Sequence, residues 1–386
     1  MSPQVLVLFK AWGRSGQSRM IEIDGSYGEG GGQILRSSLA LAAIFGKEIR
    51  IFNIRAGRSE PGLRAQHLTG AKAVTDICHA TYQGLEIGST ELVFRPGSIR
   101  EGTFRFDVGT AGSVTLVLQA LMPMLPHASG GVSLEVRGGT DVKWSPPVDY
   151  IRLVMIPILA QMGVDMSLQV AKRGHYPKGG GIIRLTCAPS RVIRPIQGQT
   201  ARAVNKITGV SHSMRLPRHV AERQATAAAR IIQQKGLLAP EIYVEASEDS
   251  SQLSPGSGIV LCAKTENSAI VGGDSLGERG RPAEEIGSAA ANKLLEEIAS
   301  NCFLDRHMGD MIVPYLALAD GVSDVSVSQV TQHLLTNVRI AEILAGIRFD
   351  PVESLGQPGR LRVRGLGLRP GEVASSSRES HLIADS

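Results

Sequence analysis

A strand–helix–strand–helix–strand–strand order recurs along this chain, and the recurrence limits the fold more than any single motif does. Read by hydrophobic period, Met20–Asp24 is a strand, Gln33–Phe45 a helix, Ile49–Ile54 a strand and Gln66–Cys78 a helix. Strands near Ala80–Glu86 and Glu91–Arg95 complete the set. The order returns in strand Phe104–Asp107, helix Val114–Met124, strand Val132–Arg137, helix Pro147–Met162 and strands near Asp165–Val170 and Gly181–Thr186. It returns less cleanly in helix Ala283–Ala299, apolar segment His307–Ala319, strand Asp324–Val327, helix Gln332–Leu344 and strands Ile347–Pro351 and Gly359–Val363. A β-α-β-α-β-β unit of roughly 80 residues used three times predicts one α/β (α+β) body of sheets covered by helices. Residues 190–277 break the pattern. With a strand near Lys206–Ser211, a helix around His219–Lys235 and a polar run Glu245–Gln252, they read as a smaller α/β module inserted before the third unit. The expected division is an N-terminal extension 1–19, a body of 20–189 and 278–366, a module 190–277 and a tail 367–386. Both ends are expected to be disordered.

Composition narrows the partners. Aromatic residues make up only 4% of the chain, so the core must be aliphatic and Ala-rich, and a base-stacking platform is disfavoured. A net charge of +5 suits an anionic partner such as a nucleotide or RNA, contacted through Arg and the backbone. Cys78, Cys187, Cys262 and Cys302 have no paired spacing, which excludes a sequence-local zinc motif and points to reduced thiols in a cytoplasmic protein. No apolar window of about 18 residues is present, so no membrane span is expected.

The chemistry concentrates at the end of the first strand, in Asp24-Gly25-Ser26-Tyr27-Gly28-Glu29-Gly30-Gly31-Gly32-Gln33-Ile34-Leu35-Arg36-Ser37. A glycine loop feeding a helix N-terminus offers free backbone N–H groups to an anion. No Gly-Lys-Ser/Thr follows, so it is not a Walker A loop. Glu29 is a carboxylate among amides that would hold phosphate, and those two anions coexist best across a divalent cation. Read alone, the same loop is equally a glycine-rich turn with a solvated Glu29. Arg36, Arg55, Arg58 and Arg64 lie close by in sequence and match a phosphate-binding set, each taken singly being a surface arginine. Of nine histidines, His79, His127, His175, His212 and His381 read as turn-like or polar. His67 opens a helix, where it is functional or capping. His307 precedes an apolar helix. His333 stands on a helix first turn, where the dipole disfavours imidazolium and keeps a nucleophilic neutral ring; a capping or packed role competes with that reading.

Taken together, these stretches resemble the RNA 3′-terminal phosphate cyclase family. The glycine loop through Arg36 is similar to its N-terminal signature. Arg55-Ala56-Gly57-Arg58, Pro61-Gly62-Leu63, Gln66-His67-Leu68, Gly112-Ser113, Gly138-Gly139-Thr140-Asp141, Gly179-Gly180-Gly181 and His333-Leu334-Leu335-Thr336-Asn337 follow in the family's order. The resemblance runs from about Met20 to Val363. It implies three repeats plus an inserted module, and a reaction in which ATP adenylates a histidine and AMP passes to an RNA 3′-phosphate. Attack by the 2′-OH then leaves a 2′,3′-cyclic phosphate. Carried over by position, His333 is the adenylated nucleophile and Glu29 holds Mg2+ or Mn2+. Arg36, Arg55, Arg58 and Gln66 surround phosphates and substrate, and Gln119 and His307, Met308, Gly309, Asp310 and Met311 contact ATP. Met311 departs from the many members that carry Gln after the Asp, which puts a polar nucleotide contact in question. The implied partner is RNA with a 3′-phosphate end, and a homodimer is compatible with it. Two other readings stand beside this one. Non-catalytic relatives act in ribosome assembly but lack the histidine matching His333, and the same chemistry permits adenylation of 5′-phosphate ends.

Overall fold

A computed structural model describes residues 20–190, 192–249 and 251–369. The expected extension 1–19 and most of the expected tail lie outside these residues. In the first unit, β1 (Ile21–Asp24), α1 (Gly32–Phe45), β2 (Ile49–Phe52), α2 (Ala65–Ile77), β3 (Thr81–Gln83) and β4 (Leu92–Arg95) follow in turn. Their sheet has the order β1-β2-β4-β3, with β1 parallel to β2 and the other pairs antiparallel. A parallel pair requires a crossover, and α1 supplies it. The helix is apolar on nearly every face, and Gly46 ends it in the left-handed region (φ 61°) that a glycine tolerates without cost.

The second unit repeats the pairing. It runs β5 (Gly102–Asp107), α3 (Val114–Leu121), β6 (Val132–Gly138), α4 (Val148–Tyr150), a π turn over Ile151–Met155, α5 (Ile156–Gln161), β7 (Met166–Lys172) and β8 (Gly181–Cys187). The sheet order is β5-β6-β8-β7, again with only the first pair parallel.

The remainder contains β9 (Gln197–Gly198), β10 (Val204–Met214), α6 (Arg218–Gln234), β11 (Glu241–Ser247), β12 (Gly256–Thr265), β13 (Ile270–Leu276) and α7 (Ala283–Ala299). It continues through α8 (Arg306–Leu318), β14 (Val322–Val327), α9 (Gln332–Ala345) and β15 (Gly359–Arg364). β9 lies parallel to β14, β14 is antiparallel to β15, and Phe349 bridges Val363. Leu304 extends the same parallel edge, bridging Val327 on one side and Ile270 of β13 on the other. The module therefore does not precede this sheet. It interrupts the sheet's first edge strand, which begins at β9 and resumes at Leu304.

The module's far boundary also moves. Its sheet, β11-β10-β12-β13, is covered by α6 and by α7, whose Ile286, Ala290, Ala291 and Leu294 share a core with Ile207, Ile259 and Leu261. The periodicity of Ala283–Ala299 showed an amphipathic helix, and only the packing shows which sheet its apolar face covers. Entry and exit lie side by side, since Ala201 N–H donates to the Asn301 carbonyl at 2.9 Å. The body has one continuous core running through all three sheets' helices, and Leu368, beyond the expected end at 366, is buried in it.

Candidate active site

Three helix N-termini meet where the body's units join. α1 and α9 are tied by side chains. Asn337 Oδ1 accepts from Ser37 Oγ (2.7 Å) and Gln33 Nε2 (2.9 Å), and its Nδ2 donates to the Asp310 carbonyl of α8 at 2.6 Å. These bonds hold the glycine loop before α1 against the first turn of α9. Gly28 (φ 63°) and Gly32 are required by the fit. A Cβ on Gly28 would stand 2.6 Å from Thr336 Oγ1, and one on Gly32 2.4 Å from His67 Nε2.

The three N-termini differ in capping. Asp305 caps α8, accepting from His307 N (3.0 Å) and Met308 N (2.8 Å). Thr331 caps α9, accepting from Leu334 N at 2.9 Å while its hydroxyl donates to Asp310 Oδ1. α1 has Gly31 at its cap position, no side-chain cap and no acid in its first turn. Its N–H groups are thus left to a ligand, and the dipole favours an anion there.

His333 is the second residue of α9 and turns Nε2 toward Glu29 Oε2, 3.5 Å away, while Arg58 Nη2 reaches the same oxygen at 3.7 Å. All three side chains are between 42% and 45% exposed, so the cluster is open to a substrate. Desolvation lowers the His333 pKa below its ordinary value; Glu29 opposes this, and the positive fields of Arg36, Arg58 and His307 add to it. The ring is accordingly a neutral base at pH 7. Asp310 is buried beneath the Thr331 cap. Burial pushes its carboxyl up to about 7, with Asp305 and Glu29 adding to the rise and the Thr331 hydrogen bond opposing it.

The other expected residues divide into groups. Arg36 is half-buried, gives Nη2 to Gln33 Oε1 at 2.6 Å, has a buried Nε with no partner among the described residues, and has its pKa lowered to about 10 by desolvation. A half-buried guanidinium with no carboxylate partner among the described residues is costly, which fits a group kept for an incoming anion. Arg36, Gln66 and His67 line a cleft floored by Leu35, Leu116 and Ala120. Gln66 Oε1 accepts from Ser113 N at 3.2 Å, joining the first unit to the second. Arg55 instead braces its own loop, donating Nη1 to the Glu60 and Gly62 carbonyls. Of the two roles open to His67, capping has a visible bond: Arg64 N–H donates to its Nδ1 at 3.3 Å. Burial, then Arg36, Arg55 and Arg64, push its pKa down to about 3.

Met308 is fully buried, and Gly309 lets α8 approach Val327 and Leu334, so these two face the core. Met311 is nearly buried, and its Sδ accepts from Gln119 Nε2 at 3.1 Å; the departure from Gln is absorbed by a contact between two expected nucleotide residues. Sequence reasoning missed the roles of Gln33, Thr331 and Asn337. The spacing held a clue for one of them: Asn337 follows His333 by four positions, on the same helix face.

The family model for RNA 3′-terminal phosphate cyclase matches residues 27–350. The chain is 49% identical over 359 residues to the RNA 3′-terminal phosphate cyclase of Hyperthermus butylicus, covering 91% of this chain and 99% of that one. It is 48% identical over 347 residues to the protein of that name from Methanopyrus kandleri (89% and 99% covered). It is 46% identical over 343 residues to that from Thermococcus kodakarensis (89% and 98%).

Proposed function

Because the chain belongs to the RNA 3′-terminal phosphate cyclase family, we propose that it uses ATP to convert an RNA 3′-terminal phosphate to a 2′,3′-cyclic phosphate through an AMP adduct on His333. The observation that carries this reading is a neutral, half-exposed imidazole beside Glu29 and Arg58 and opposite an uncapped helix N-terminus. In the first step the imidazole attacks the α-phosphorus of ATP, and pyrophosphate leaves. A 3′-phosphate oxygen of the RNA then attacks that phosphorus and displaces the imidazole. Finally the 2′-OH attacks the terminal RNA phosphorus, releases its proton to solvent and expels AMP. Capping with AMP turns a phosphate oxygen into a workable leaving group.

Each residue has work in this scheme. The α1 amides and Arg58 receive phosphate oxygens, and Arg36 supplies charge from the lining of the cleft. Glu29 fits a divalent cation as a single carboxylate ligand, because among the described residues no hydrogen bond to its carboxylate is formed and its two ion pairs are long. Such an ion is commonly held by one or two carboxylates plus substrate phosphates, and it would neutralise charge developing on the phosphoryl oxygens. Thr331 and Asn337 orient α9, and with it His333.

The test is incubation of the protein with α-labelled ATP and Mg2+ or Mn2+, then a denaturing gel. Covalent label is expected that survives alkali, disappears in acid and maps to the peptide containing His333. Label that is lost in alkali would signal an acyl phosphate on a carboxylate and overturn the assignment. Cyclisation of a 3′-phosphorylated RNA, with no adenylation of a 5′-phosphorylated one, separates this activity from its nearest rival.

A further inference from the structure

Outside the cluster around the glycine loop, a second set of polar side chains is sealed between the inserted module and the second unit. His212 lies on β10 of the module, while His175 and Asp141 follow β7 and β6 of the second unit. All three are buried, at 1%, 5% and 3% exposure. The two rings face each other through their Nε2 atoms at 3.1 Å, and Asp141 Oδ2 stands 4.0 Å from His212 Nε2. One ligand atom from each residue falls within 4.8 Å of the others, and among the described residues no other such group of three occurs.

The space for this pair is built into the neighbouring strand. Gly258 is the cross-strand partner of His212, and a Cβ there would stand 3.0 Å from the His212 ring. A Cβ on Gly256 would overlap the His175 ring at 2.1 Å. Gly256 opens β12 and Gly258 lies inside it; a glycine inside a strand weakens it and marks a close approach, here that of the His212 ring.

The lone pairs give the electrostatic argument. Neither Nδ1 has a partner among the described residues, so no hydrogen bond there fixes which nitrogen carries the proton. If both Nε2 atoms present lone pairs at this separation they repel, unless a cation or a proton lies between. The surroundings favour a cation. Asp141 Oδ2 accepts from Thr140 (2.7 Å) and Arg173 Nη1 (3.1 Å), while its buried Oδ1 has no partner among the described residues. Arg173 pairs with Asp141, Asp149 and Glu245, and Arg152 with Asp149, leaving one carboxylate charge over. Two imidazoles and one carboxylate are the donor set that borderline metals select. Two nitrogens on tetrahedral zinc are separated by about 3.3 Å, close to the spacing present here.

We propose that Asp141, His175 and His212 bind a divalent transition metal of the zinc type, clamping the inserted module to the second unit. Three protein donors leave a fourth position for water. The metal's place is in the joint between module and body, apart from Glu29.

The test uses the full-length protein, stripped with chelator and dialysed, then titrated with Co2+ as a visible probe. Expected is one tightly held Co2+ per chain with the intense visible absorption of a four-coordinate site, displaced by Zn2+, and a rise in melting temperature with either ion. His175→Asn and His212→Gln should each abolish the absorption and the thermal shift. Glu29→Gln should retain both, which separates this site from any metal used with ATP. Circular dichroism of the two histidine variants checks that they fold. If the unmutated chain takes up no Co2+ with that spectrum, the pair holds a proton and the proposal fails, whatever the variants do. It fails equally if the spectrum survives in the folded His175→Asn/His212→Gln double variant.

Discussion

The same three residue types make two different devices in this molecule. Around Glu29, the His333 imidazole and the Arg58 guanidinium stand 3.5 and 3.7 Å from one carboxylate oxygen, and each of the three is about two-fifths exposed. Around Arg173, the arginine, Asp141, Asp149 and the imidazoles are buried, and the guanidinium makes bonds of 2.6–3.1 Å to Asp149, Asp141 and the half-buried Glu245. Burial alone would pull the Arg173 pKa down, but these carboxylates hold it above its ordinary value. The open cluster keeps donor and acceptor capacity free, as a site must if charge is to arrive with the substrate. The sealed cluster uses nearly all of Arg173's capacity, as a buried charge must if it is to be tolerated. Composition does not separate the proposed catalytic group from the sealed one. Unspent hydrogen-bonding capacity at a solvent-reachable position does.

Breaking each device should therefore damage a different property. The largest effect is expected from His333→Asn, which should reduce AMP-adduct formation on the order of 10³-fold or more while leaving the urea midpoint nearly unchanged. A large loss of stability in that variant would place His333 with the sealed group. Arg173→Met is the reciprocal experiment. It leaves Asp141 buried without its cation and Asp149 with Arg152 alone, and should cost about 3–5 kcal/mol in urea unfolding. The adduct formed per folded molecule should persist. A stable Arg173→Met protein would mean that the sealed carboxylates are neutralised by other means.

Glu29→Gln sharpens the description of the open cluster. It keeps the shape, removes the charge, and is expected to slow adduct formation about 10–100-fold at limiting metal, with partial recovery at higher metal. Wild-type rates at limiting metal would reduce Glu29 to a loop residue.

Asp310 lies between the two regimes, buried yet wired to the α9 cap. Its folded-state pKa is raised from 3.8 to about 7. Between those values the folded protein holds a proton that the unfolded chain has released, so this group's contribution to stability falls as pH rises through that window. Asp310→Asn keeps the oxygen that accepts from Thr331 and removes the titration. Its unfolding free energy should lose that downward slope and exceed the parent's above pH 7 by on the order of 1 kcal/mol. Parallel pH profiles for parent and variant would show Asp310 ionised throughout.

The smallest effect is expected from removing the module at its structural seams. Replacing residues 203–299 with a short Gly/Ser linker joins ends already hydrogen-bonded at Ala201 and Asn301, and should leave self-adenylation largely intact. A cut at 190–277 would delete β9 and strip α7 of its sheet, and is expected to yield poorly folded protein. Loss of the adduct from a folded 203–299 replacement would show that the module completes the site.

Local sequence determined a good deal. Helix and strand periods, the αL-tolerant Gly46 and Gly346 that end α1 and α9, the glycine loop and the His333 block are all set by residues near one another in the chain. Steric and hydrogen-bonding rules read such neighbours directly. Tertiary structure alone decided which sheet α7 covers, that β9 and Leu304 are two halves of one interrupted edge, and that Gln33 and Asn337, 304 positions apart, share a hydrogen bond. It also decided that His175 and His212, polar-turn residues by their local context, are buried face to face. The physical reason is that burial and charge pairing depend on what the remote chain brings alongside. An amphipathic face specifies that it will be covered, not by what, and an imidazole acquires its pKa and its chemistry from neighbours that its own segment does not contain.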